Sequence, residues 1–119
     1  MAKKPVKQEQ RFQKQEEHAI QLGFQEIKSN KAGVDAIHPK LPGIEFHLYT
    51  TPGADKETPE GQETNAVTAQ DIKRNMFFHV TRDKLTIIPT GEQLHFTSPK
   101  QLRILAEIME NAHELLKKQ

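Results

Sequence analysis

The chain has no cysteine and no tryptophan, and its one tyrosine is Tyr49. Without thiols it can form no disulfide, use no thiolate nucleophile and build no cysteine-ligated zinc or iron–sulfur site. It lacks any apolar run near the roughly 20 residues that a membrane-spanning helix needs. The basic start "MAKKPVKQEQ" is not followed by the apolar stretch of a signal peptide. The formal charge of +1 is too small for a whole-molecule field that would gather nucleic acid or membrane. No phosphate-cradling glycine loop, nucleophile elbow or metal-ligand cluster occurs. These absences set the expectations of no cofactor, no metal and no membrane, and of a cytoplasmic location, in the host cytoplasm if the chain is viral.

What is present is polar. A chain of 119 residues with 34% hydrophobic and 28% charged content fits one domain, 1–119, with one modest core. Residues 1–10 form a basic tail leading into a helix over Val6 to Leu22, rich in glutamine, lysine and glutamate, with Gly23 where a helix C-cap glycine belongs. Turn residues then divide three strands, about Phe24 to Lys28, Val34 to His38 and Ile44 to Thr50. In the third, Ile44, Phe46 and Leu48 alternate with Glu45, His47 and Tyr49. Residues 52–66 read as a long mobile acidic loop, with Asp55, Glu57, Glu60 and Glu63 against Lys56. "TAQD", Thr68 to Asp71, has capping-box form and predicts a short helical turn.

Met76 to Ser98 predicts a three-strand meander with turns at Arg82-Asp83 and Thr90-Gly91. In that register Phe78, Ile87 and Leu94 become neighbours, as do Val80, Leu85 and Phe96, which makes one apolar face. The other face carries His79, Thr86 and His95 in one row and Phe77, Ile88 and Gln93 in the next. The final helix is punctuated by Ser98 at the N-cap, Pro99 at the first helical position and Gln101 completing a capping box. Its stripe of Leu102, Leu105, Met109, Ala112 and Leu116 predicts packing on the apolar side of the sheet, with homodimerisation through this helix as the alternative use. The fold class is thus α+β: an N-terminal helix, a largely antiparallel sheet of five or six strands ending in the meander, and an amphipathic C-terminal helix on one face.

His79-Val80-Thr81 and His95-Phe96-Thr97 repeat one triplet. The repeat resembles the signature of the two-histidine phosphoesterase family. That resemblance implies His79 and His95 as an acid/base pair on a phosphodiester and Thr81 and Thr97 on phosphate oxygens. The family's motifs lie in two lobes of a larger chain, whereas these are sixteen residues apart. Strand spacing also sets such histidines roughly 10 Å apart, too far to share one metal. The favoured expectation is a non-enzymatic accessory protein, of a make common among phage and plasmid proteins. It would engage a larger protein or nucleoprotein assembly through its termini and an exposed sheet face of His47, Tyr49, Phe77, His79, Ile88 and His95. Two alternatives stand beside it: single-stranded nucleic-acid binding by stacking on Tyr49 and Phe77, and the small phosphodiesterase.

Overall fold

The computed structural model describes residues 13–29, 33–50, 63–71, 73, 75–89 and 93–118. The basic tail, the first turns expected of the N-terminal helix, most of the acidic loop and the Thr90-Gly91 turn lie outside them. The elements are α1 (Gln13–Gln21), β1 (Gln25–Ser29), β2 (Gly33–His38), β3 (Leu41–Tyr49), β4 (Ala66–Gln70), β5 (Met76–Thr81), β6 (Leu85–Ile87) and α2 (Pro99–Lys118). All six strands form one antiparallel sheet in chain order, β1 to β6. The fold is α+β, with the C-terminal helix packed against the sheet as the patterning predicts.

Both helices lie on the same side. α1 packs on β1 to β3 and α2 on β3 to β5. The alternation of β2 to β5 turns Val34, Ala36, Phe46, Leu48, Val67, Ala69 and Val80 toward them, all buried in one cluster with Ala19, Phe24 and the α2 stripe from Leu105 to Leu116. α1 ends in a Schellman motif: Gly23 takes a φ of +86°, the Phe24 N–H donates to the Ala19 carbonyl and the Gly23 N–H to that of Ile20. This turns Phe24 back into the core, where its ring stacks on Phe46 at 4.7 Å. At the start of α2 the Gln101 side chain accepts a hydrogen bond from the Thr97 N–H, one residue before the position expected of a capping box.

Two expectations need correction. Thr68 to Gln70 open no helix; they complete β4, whose five residues are all buried between β3 and β5. Pairing on both edges overrides the local capping signal. Residues 93–97 form no third strand beyond β6. The reason is where α2 must begin. Ser98, Lys100 and Gln101 lie beside Lys40, in the β2–β3 turn, while farther along α2 the His113 ring N–H donates to the Arg82 carbonyl at the opposite end of the sheet. The chain leaving β6 already stands at the Lys40 end, so it crosses that end to reach α2. Leu94 and Phe96 pack on the core during the crossing, half-buried. The final meander is therefore β4, β5 and β6, one strand earlier than expected.

Candidate functional site

On the face away from the helices, the register lines up Asp35, His47, Thr68, His79 and Thr86, one residue from each of β2 to β6. The central strand supplies short side chains and its neighbours supply rings, so the rings lean inward. The Asp35 carboxylate meets the His47 ring nitrogen Nδ1 at 2.7 Å. The His47 and Tyr49 rings stack at 5.0 Å. The Tyr49 ring runs nearly parallel to that of His79, with its hydroxyl 3.0 Å from His79 Nε2 in hydrogen-bond contact. Burial pushes the Tyr49 phenol up from its usual range. Beneath this layer Ala66 is buried and Thr68 is 0% exposed. Thr68 Oγ1 and Gln70 Nε2 have no hydrogen-bond partner among the described residues.

The structure thus brings His47, Tyr49 and His79 together as the patterning predicts, but in a closed layer. Phe77, expected on an exposed surface, is only 7% exposed. Ile88 shares its row, with its N–H donating to the Phe77 carbonyl, and is half-buried. Of the two aromatics expected to stack on bases, Phe77 is thus buried, and the partly buried Tyr49 ring stacks on His47 and runs beside His79. His95 is exposed on the crossing segment, and the exposed Thr97 lies next to α2. The row neighbours of His79 are Thr68 and Thr86, so the two H-x-T triplets are not set side by side. Among the described residues no group of three or more His, Asp or Glu side chains could hold a metal ion.

A second surface was hidden in the sequence because its residues count as core by pattern. Each helix is about 10 Å wide and each strand takes up about 4.8 Å, so one helix covers little more than two strands. Among the described residues the two helices leave one edge of the six-stranded sheet uncovered, and that edge is β6. Leu85 and Ile87 point to the helix side, opposite Val80 and Phe78, yet are 52% and 69% exposed. On the flank of α2, Leu102 is 50% exposed. Between them runs an apolar groove of about 300 Å³, floored by Phe78, Val80, Leu105 and Met109, walled by Leu85, Leu102 and Ala106, and rimmed by Glu110 and His113. The α2 stripe from Leu105 to Leu116 is buried against its own sheet, which leaves Leu102 as the exposed large hydrophobic residue described on this helix.

No family model, no curated protein and no solved structure matches the chain. No helix among the described residues is long and apolar enough to cross a membrane.

Proposed function

We propose that this is a non-enzymatic binding protein that works by docking onto protein, as an accessory to a larger protein or nucleoprotein assembly, and that its docking surface is the groove beside β6. One observation carries this reading: Leu85 and Leu102, two of the four exposed large hydrophobic residues described, line a single apolar groove, and a third, Ile87, stands on β6 opposite the groove residue Phe78. Contiguous exposed apolar surface with a polar rim is the anatomy of a protein interface. On the other face the ring layer pairs Asp35 with His47 and Tyr49 with His79. Affinity capture from the native host with the wild-type chain and Ile87→Lys in parallel tests it. The wild type should retain a specific protein that the variant loses; equal retention by both contradicts the assignment of the surface.

A second reading, the phosphodiesterase, draws on the Asp35–His47 contact. A carboxylate at 2.7 Å from Nδ1 orients an imidazole as a general base, and His79 lies two strands away. Hydrolysis of linear and cyclic phosphodiesters by pure protein that disappears in both His47→Ala and His79→Ala would replace the binding reading with this one.

A further inference from the structure

We infer that the occupant of the β6 edge is a second copy of this chain, joined antiparallel about a two-fold axis at Thr86; the inference rests on the docking surface proposed above and names its partner. The backbone of β6 dictates the register. The Thr81 N–H donates to the Lys84 carbonyl and the Ile88 N–H to that of Phe77. Hydrogen-bonded pairs alternate along an antiparallel ladder, so Lys84, Thr86 and Ile88 direct their N–H and C=O groups inward to β5. Leu85 and Ile87 direct theirs outward. β6 is the last strand in the order, and no strand pairs with its outer edge among the described residues.

Two copies related by a two-fold at Thr86 set Leu85 opposite Ile87 of the second copy, and Ile87 opposite its Leu85. Every outward N–H then faces an outward C=O, and all four outward groups of each strand are used. Thr86 meets Thr86 on the axis, a favourable cross-strand pair. Lys84 falls opposite Ile88, so no like charges are set against each other within the paired stretch. Pro89 has no N–H to extend the ladder, which limits self-pairing to this short stretch. Leu85 and Ile87 lie on the helix side in both copies, and Leu85 lines the groove together with Leu102 and Ala106 of its own α2. A stable interface needs about 800 Å² per partner, more than a three-residue strand provides, so the helix flank is part of the contact. A heterologous strand would use the same edge, but the two-fold register leaves no outward group unmatched and needs no sequence beyond this chain's own.

The test is sedimentation equilibrium of the full chain from low-micromolar to submillimolar concentration, with Ile87→Lys and Leu102→Glu beside it. Both positions are exposed, so both variants should keep the wild-type circular dichroism spectrum. The wild type is expected to reach twice the chain mass, and each variant to weaken dimerisation by at least about tenfold. A wild type that stays monomeric throughout, or a dimer indifferent to both substitutions, overturns the inference. A monomer that still captures a host protein through Ile87 overturns the self-pairing and leaves the docking surface standing.

Discussion

At the scale of the residue, burial governs protonation. His18 meets Thr64 Oγ1 at 2.7 Å under α1. Burial lowers its pKa below the ordinary 6.5, with Glu17 and Glu63 opposing and Lys14 assisting. His38, packed edge-on against Phe24, is lowered by burial and by Lys40, with Glu107 opposing. A histidine whose folded pKa lies below its unfolded value contributes fully above the unfolded pKa. That contribution is lost as pH falls through about 6.5 toward the folded value, because only the unfolded chain takes up the proton. Denaturant unfolding across this window should show stability falling toward low pH, and His18→Gln or His38→Gln should make the fall shallower. An unchanged slope in both variants would contradict the burial account. Gly33 makes a steric prediction. A Cβ there would overlap the Leu48 carbonyl oxygen and crowd the Cα of Tyr49, so Gly33→Ala must part β2 from β3 beneath the ring layer. The expected loss is about 1–3 kcal/mol in urea unfolding, and a variant as stable as wild type would place the two strands farther apart.

At the scale of the element, α2 is the main cover of the sheet from β3 to β5, and its buried stripe sets its worth. Leu105 is 2% exposed and packs in the core, so Leu105→Ala should lose about 2–5 kcal/mol. Phe96 is half-buried on the crossing segment, and Phe96→Ala should lose less than Leu105→Ala despite removing the larger side chain. Equal losses would mean that Phe96 belongs to a fully covered strand after all. The elements with clean periodicity were legible from sequence: β3 from its alternation, the β5–β6 hairpin down to its register at Phe78 and Ile87, and α2 with its Ser98-Pro99 start. β4 was not, because "TAQD" carries a local helix signal that only pairing with β3 and β5 defeats. The last expected strand failed because its residues are needed to reach the start of α2, a demand of the global path with no local mark. The ring layer was legible in part. His47, Tyr49 and His79 share one face by parity alone, whereas the lean of their rings over Ala66 and Thr68 depends on β4.

At the scale of the whole molecule, two helices meet a six-stranded sheet that is wider than they can cover. The apolar residues of β6 were chosen by the same alternation as those of β5, yet they end up in solvent because of where the helices stop. Self-pairing at Thr86 would continue the sheet through the axis and bring the flanks of two α2 helices over the bare strip. Its ring rows would also join into one extended face, with His79 and Thr86 of each copy on either side of the axis. The most direct measurement of this account is residue-resolved amide exchange by NMR at several protein concentrations. In the dilute chain the Leu85 and Ile87 amides should exchange rapidly while the Thr86 amide, bonded to β5, is protected. Raising the concentration should protect Leu85 and Ile87, and Ile87→Lys should abolish the gain at Leu85. Protection at Leu85 and Ile87 that is the same at every concentration, or absent at all of them, would contradict it.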